Sequence, residues 1–307
     1  MSFESYFFCK MCTKSDKKRD KGLKIPETVE YQRDIAYGEH KKYHLLDICW
    51  PHMTEGRVTD PVKDKFPVIV SVHGGGYVYG SKEVYRFYAA SLAQMGFTVI
   101  NFNYRLAPKF KYPAPLEDLR TVLEWMIKKS EKYPIDTDRV FLVGDSAGAQ
   151  IVSQYGVICS NQEYAAIMGM KHPEVKIRGL GLCCGTYDLK KRIETEGIKG
   201  VIKDYLTSNP YQFDKQLDIF DAVTDSYPAS YLFSSNGDFL KEECKPMADL
   251  LLSRGVLCEY KIYGNEQTGH VFHVDMRDEY GAQANREQVD FFRKILGMNN
   301  ENVKSAE

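Results

Sequence analysis

The sequence predicts an α/β fold, a mostly parallel β-sheet of buried strands with helices packed on both faces. Three observations carry that reading. Short β-branched apolar runs, such as PVIVSV at 67–72, alternate along the chain with segments of 3.6-residue apolar periodicity. Those runs are apolar throughout rather than alternating, as strands covered on both faces must be. And 307 residues, 43% of them hydrophobic and 27% charged, suffice for one sizeable core of ordinary globular composition.

The elements follow in order. The first 25 residues are aromatic, then basic from Lys14 to Lys24 with Asp16 and Asp20 interspersed, and read as a solvated helix face or a frayed segment. VEYQRDIAYG and HLLDICW form a pair of extended segments with a turn near 38–42, and 51–65 is a polar loop. PVIVSV is a core strand. Val84, Phe87, Tyr88, Ser91, Leu92 and Met95 share one helix face, and Gly96 stops that helix. FTVINFNY is the next strand, and Leu116, Leu119, Leu123, Met126 and Ile127 mark the next helix. VFLVG runs into a helix at DSAGAQIVSQYGVICS. IRGLGLCC, YLFSS and LCEYKIY are later strands, separated by helices that include Leu251 and Leu252 and, last, Val289, Phe292 and Leu296. One stretch, Thr186 to Ala229, breaks the rhythm; excursions of this length in such folds usually cap a site or are disordered.

Composition excludes several classes of function. Lys+Arg is 41 against Asp+Glu 42, a net charge of −1, so no global basic field exists to hold nucleic acid or an anionic membrane. No apolar run approaches the roughly 18 residues of a membrane span. MSFESYFFCKMC is a poor signal peptide, broken by Glu4 and Lys10, so a cytoplasmic location is expected. The eight cysteines show no disulfide spacing; Cys183 and Cys184 read as core residues, and Cys9 and Cys12 as two thiols on a short helix.

Chemistry concentrates in two motifs. Gly144-Asp145-Ser146-Ala147-Gly148 stands between a buried strand and a helix, the setting of a nucleophile elbow. Its turn demands tiny neighbours, and the helix aims its first amides and positive dipole end at the Ser146 hydroxyl. His73-Gly74-Gly75-Gly76 follows PVIVSV directly. Its glycines leave backbone amides open to a developing oxyanion, with Ala147 as the second source of donors. His73 reads as a residue that fixes this loop rather than as a base. Asp145, beside the nucleophile, reads as a local hydrogen-bonding group.

With Tyr104-Arg105-Leu106-Ala107-Pro108 and the Pro113-Ala114-Pro115 segment between them, these motifs resemble those of the hormone-sensitive-lipase-like esterases of the α/β-hydrolase superfamily. The resemblance runs from about Val68 to the C-terminal helix. Lys109, Ala149, Gln150 and Val271 depart from residues common in that family. It implies an eight-stranded, mostly parallel α/β-hydrolase fold with a small cap: one domain over 1–307, with cap elements from 1–28 and 186–229. It also implies a Ser-acid-His order for the triad. His270, in TGHVFH, matches the family's base, with His273 as rival. Asp238, in SSNGDFL, matches the acid, with Asp188 as runner-up. The implied site is thus Ser146, Asp238 and His270 as triad, Gly75, Gly76 and Ala147 as oxyanion hole, and His73 and Gly74 orienting the loop.

The function this implies is a serine carboxylic-ester hydrolase acting on short-chain acyl esters, with no cofactor and no metal. A formamide or small-amide hydrolase of kynurenine-formamidase type and a non-catalytic receptor on the same fold are the alternatives. The expected partner is a small ester, not a nucleic acid, and LCEYKIY at a sheet edge leaves room for a homodimer. The aromatic residues Phe3, Tyr6, Phe7 and Phe8, with Tyr205, Tyr211, Phe213 and Phe220, are expected to close an apolar pocket over Ser146.

Overall fold

The computed structural model describes residues 1–52, 65–207 and 209–298, apart from the side chain of Glu196. In chain order the elements are α1 (Phe3–Asp20), β1 (Val29–Ala36), β2 (Leu45–Pro51), β3 (Phe66–Val72), α2 (Lys82–Gln94), β4 (Thr98–Phe102), α3 (Ala114–Lys129), β5 (Ile135–Asp145), α4 (Ala147–Ser160) and α5 (Gln162–Met168). Then come β6 (Ile177–Cys183), α6 (Leu189–Glu196), α7 (Gly200–Tyr205), α8 (Asp214–Leu217), α9 (Ile219–Ala222), β7 (Ala229–Ser235), α10 (Lys241–Ser253), β8 (Cys258–Tyr263) and α11 (Glu279–Ile295). Short 3₁₀ turns occupy Pro210–Phe213 and Phe272–Val274.

The strands form one eight-stranded sheet in the order β1-β2-β4-β3-β5-β6-β7-β8. The β1/β2 and β2/β4 pairs are antiparallel and all others parallel. The pleat explains why the strands read as continuous apolar runs. Val68, Val70 and Val72 of β3, with Val140 and Leu142 of β5, face one core. There they meet Leu119, Leu123 and Met126 of α3, Ile151 and Val152 of α4 and Leu251 of α10. Ile69, Phe141 and Val143, one position out of phase, face a second core with Tyr88 and Leu92 of α2 and Val289 and Phe292 of α11. The central strands are covered on both faces, so β3, β4 and the second half of β5 read as nearly continuous apolar runs.

Most expected elements stand where the periodicity places them. Three outcomes differ. The polar loop expected over 51–65 lies largely outside the described residues. Helix α5 escaped notice because seven residues carry too little periodicity; its ends are nonetheless marked, by the Asn161 side chain accepting from the Tyr164 amide and by Gly169 at φ 62°. The excursion of 186–229 holds four helices of four to eight residues, lengths that depend on packing rather than on propensity.

Candidate active site

The loops at the carboxyl ends of β3, β5, β7 and β8 converge on one place. After β5 the chain turns into α4 over a single residue, Ser146 (φ 53°, ψ −118°), a left-handed φ that is strained for any residue with a Cβ. Its neighbours have no room for side chains. A Cβ on Gly144 would stand 2.5 Å from the Gly148 carbonyl, and one on Gly148 would stand 2.1 Å from the Val72 oxygen. The Ser146 amide donates to the Cys183 carbonyl (2.9 Å), which ties the turn to β6. The first-turn amides of α4, that of Ala147 among them, have no acceptor within the helix.

The glycine loop after β3 is locked against this turn. A Cβ on Gly74 would lie 2.4 Å from Asp145 Oδ2, and one on Gly75 (φ 112°) 2.2 Å from the Tyr79 oxygen. The Gly74 amide donates to the Tyr85 hydroxyl (3.1 Å), which itself donates to Asp145 Oδ2 (2.7 Å). Burial pushes the Asp145 carboxyl up to about 6 against these bonds. Asp145 therefore links the two loops, as a local hydrogen-bonding group would. The His73 Nδ1–H donates to the Gly74 carbonyl (2.8 Å), and its ring stacks on Tyr104 with centroids 4.1 Å apart. Complete burial pushes this imidazole down to about 4, so His73 is a neutral brace.

Asp238 follows β7 and His270 follows β8. The His270 Nδ1–H donates to Asp238 Oδ1 (2.7 Å). The same carboxylate accepts from the Leu240 amide (2.9 Å) and, through Oδ2, from the Ser234 hydroxyl (2.6 Å). The loop carrying His270 is held down by the Ser235 hydroxyl and the Gly237 amide, both donating to the Thr268 carbonyl (2.6 and 3.1 Å). Burial alone would lower the His270 pKa; hydrogen bonds with Asp238 and Cys184 outweigh it and hold it well above the ordinary value. The bond to His270 likewise reverses the effect of burial on Asp238 and holds it below the usual carboxylate range.

The rival residues are engaged elsewhere. His273 is buried 1% exposed, with Nδ1 3.1 Å from Cys183 Sγ, and burial pushes it down to about 3. The Asp188 side chain caps α6, accepting from the Lys191 amide (2.9 Å).

Two features were not foreseen. Cys184, expected in the core, is buried but also stands beside the Asp238–His270 pair, at a strained φ of 48°. The ligand atoms of Cys184, Asp238 and His270 lie within 4.8 Å of one another, the one such grouping among the described residues. Asp238 and His270 are hydrogen-bonded to each other, so the grouping is an Asp–His pair with a thiol beside it. The second feature is a buried polar chain beneath the site. The Tyr77 hydroxyl donates to Gln150 (3.1 Å), Gln150 to Gln154 (2.9 Å), and Gln154 to the hydroxyls of Tyr112 and Tyr164 (2.8 Å each). Two glutamines four apart in an otherwise apolar helix were the legible signal for it.

Helices from 186–229 lie over the loops. Val201 of α7 meets the glycine loop, its methyls 3.2 Å from where a Gly76 Cβ would stand. Tyr205 stacks on Tyr77 with centroids 3.7 Å and planes 2° apart. Beside Val201 is a cavity of about 350 Å³, lined by Glu4, Leu189, Arg192, Ile193 and Ile202 among others. The aromatic residues expected to close a pocket divide sharply. Tyr205 is fully buried, and Phe8, Phe213 and Phe220 pack against the core. Phe3, Tyr6 and Phe7 point into solvent, because Ser5, Phe8 and Cys9 form the inner face of α1, and Tyr211, in the 3₁₀ turn, is exposed as well.

Sheet order, elbow and converging loops define an α/β hydrolase. Comparison with known proteins agrees: the profile described as the alpha/beta hydrolase fold matches residues 69–274, and the chain belongs to that family. It is 33% identical over 112 residues to arylacetamide deacetylase of Bos taurus, a match covering 35% of this chain and only 26% of that protein. The chain therefore spans about a quarter of that relative's length. In structure it resembles esterase B from Lactobacillus rhamnosis (TM-score 0.85, 20% identity, 99% of this chain and 97% of that one). A hyperthermophilic esterase from Pyrobaculum calidifontis is also similar (TM-score 0.71, 22% identity, 96% and 92%). The hormone-sensitive-lipase-like motifs at 73–76, 104–108 and 144–148 thus sit in the fold they imply.

Proposed function

We propose that this protein is a serine carboxylic-ester hydrolase acting on short-chain acyl esters. The observation that carries the proposal is the 2.7 Å bond from His270 Nδ1 to Asp238 Oδ1, made between the loops after β8 and β7, at the same edge of the sheet as the strained Ser146 turn. In this reading His270 takes the Ser146 proton as the hydroxyl attacks the ester carbonyl, and Asp238 fixes the tautomer that leaves Nε2 free to accept it. The amides of Gly75, Gly76 and Ala147 receive the oxyanion, each donor worth about 10²–10³ in turnover. His270 then protonates the leaving alcohol, and water repeats the sequence on the acyl-enzyme. His73 and Gly74 hold the loop.

The domain is a single one, with α1 and the helices of 186–229 as its cap. Support for the cap comes from Val201 over Gly76 and from the Ser2 amide, which donates to Asp204 Oδ2 (2.7 Å) and so pins α1 to α7. The apolar cavity beside Val201 suits an acyl chain of limited length. A panel of p-nitrophenyl esters tests this reading. Turnover efficiency is expected to peak near butyrate to hexanoate, rising about fourfold per methylene while the chain fits (about 0.8 kcal/mol each) and falling steeply by palmitate. Strong hydrolysis of emulsified long-chain triglyceride would overturn it. One observation favours a second reading, hydrolysis of small amides: the stretch shared with a protein named arylacetamide deacetylase. Aryl acetamides in the same panel decide between them.

A further inference from the structure

Phe3, Tyr6 and Phe7 of α1 point into solvent, and they are not scattered. Phe3, Phe7 and Met11 stand four residues apart, in one line along the helix, and are 77%, 63% and 61% exposed. Met1 and Tyr6 extend the apolar area. Along the same outward surface run Lys10, Lys14, Lys17, Lys18 and Lys21, all exposed. Tyr6, Lys10, Lys14 and Lys17 line a shallow groove there, together with Cys9 and Thr13. The acids of α1 do not neutralise this surface. Asp16 is held by Arg19 (2.8 Å) and by the Tyr79 hydroxyl (2.7 Å), Asp20 by Arg19 (2.8 Å), and Glu4 is the one exposed acid of the helix.

The other side of α1 is fastened to the body of the protein at both ends. Ser2 bonds Asp204 (2.7 Å), Cys9 Sγ contacts the Val78 carbonyl (3.6 Å), and Arg19 donates to the Val84 carbonyl (2.8 Å). A rigidly seated helix thus presents an aromatic strip ringed by ammonium groups, on a protein whose overall charge is −1. That combination has a specific complement. Rings and a thioether gain by entering a layer of acyl chains, and lysines gain beside phosphate and carboxylate groups at its surface. An acidic protein would match the lysines but offer less to an unbroken row of Phe, Phe and Met.

The geometry points to the outward face of α1 as a docking site for an anionic phospholipid surface, on which the protein lies without spanning it. The inference is independent of the proposed ester hydrolysis, since it concerns no residue of the triad or of the oxyanion loop.

Co-sedimentation of the full chain with phospholipid vesicles tests it. Vesicles of phosphatidylcholine and phosphatidylserine are expected to carry the protein down, pure phosphatidylcholine vesicles at least about tenfold less, and high salt to release it. Lys10→Glu with Lys14→Glu and Lys17→Glu is expected to abolish the preference for phosphatidylserine. Phe3→Ser with Phe7→Ser is expected to weaken binding at least about tenfold while the salt dependence persists. All of these side chains are exposed, so hydrolysis of dissolved p-nitrophenyl butyrate should be unchanged in both variants, which shows that they fold. Failure to sediment, or equal sedimentation of the charge-reversed variant, would overturn the inference. So would a concentration-dependent dimer that the Phe3→Ser, Phe7→Ser variant abolishes, because the strip would then be covered by a second copy.

Discussion

The carboxyl edge of the sheet and the layer of helices above it are built by different means. At the edge, position is fixed by the backbone. Gly74, Gly75, Gly144 and Gly148 each stand where a Cβ would be 2.1–2.5 Å from another atom. Of the five non-glycine residues with positive φ among those described, four, Tyr77, Ser146, Cys184 and Val271, belong to the loops of this edge. In the layer above, position is fixed by side chains: the Tyr77–Tyr205 stack, Val201 on Gly76, and Lys111 Nζ donating to the carbonyls of Asp204 (2.9 Å) and Leu206 (2.7 Å). Backbone constraints admit almost no substitution, whereas side-chain contacts can be exchanged for others of similar volume. Chemistry and selectivity in this molecule should be separable.

Substitutions at the edge should therefore abolish reaction, and those above it should redirect it. The largest expected effect is that of Ser146→Ala, a loss on the order of 10⁶ in turnover with the fold retained, read by ester hydrolysis and circular dichroism. Near-wild-type turnover would remove the edge from the chemistry altogether. Asp238→Asn should cost roughly 10⁴ by favouring the wrong tautomer of His270. Asp188→Asn, which alters only the cap of α6, should leave turnover within about tenfold; the reverse ranking would move the acid from β7 to β6.

A pH profile sharpens the comparison further. In the proposed mechanism His270 acts as base only when neutral, and its pKa is raised in the folded protein, so activity should be lost as pH falls through that raised value. The acid limb is thus expected on the alkaline side of the ordinary imidazole value of about 6.5. Cys184→Ala removes one of the two groups that raise it and should move the limb to lower pH. A limb at the same pH in both proteins would show that the thiol does not act on His270. The smallest effect is that of Tyr205→Ala. By opening the layer above Tyr77, it should shift the preferred acyl length upward while changing turnover on the acetate ester by less than about tenfold. Equal losses on every chain length would place Tyr205 with the edge instead.

The same division governs what the sequence could disclose. Gly144, Ser146 and Gly148 were legible because the absence of room is written in residue identity, and the strands because both faces are apolar. Asp238 and His270 were singled out by the resemblance of their segments to the family's acid and base segments after two strands, and their mutual bond supports that reading. The orientation of α1 was not. Its aromatic residues suggested an inner face, but Ser5 and Cys9 lie inward and Phe3 and Phe7 outward, since docking is decided by partners such as Asp204 and Val78 far along the chain. Nor was the approach of Cys184 to His270, which depends on a φ of 48° that an apolar Cys-Cys pair does not advertise.

The fastening of α1 also has a consequence for how the protein is made. Arg277 donates to the Arg19 carbonyl, and Asp204 accepts from the Ser2 amide, across separations of 258 and 202 residues. At roughly 5–20 residues per second of synthesis, the first helix emerges tens of seconds before its last anchor exists. Through that interval Phe8, which packs against the core in the finished fold, has no seat. Helix α1 is therefore synthesised long before it can be fully fastened, and a ribosome stalled before Arg277 holds a chain in which α1 is still available to whatever captures unseated aromatic residues.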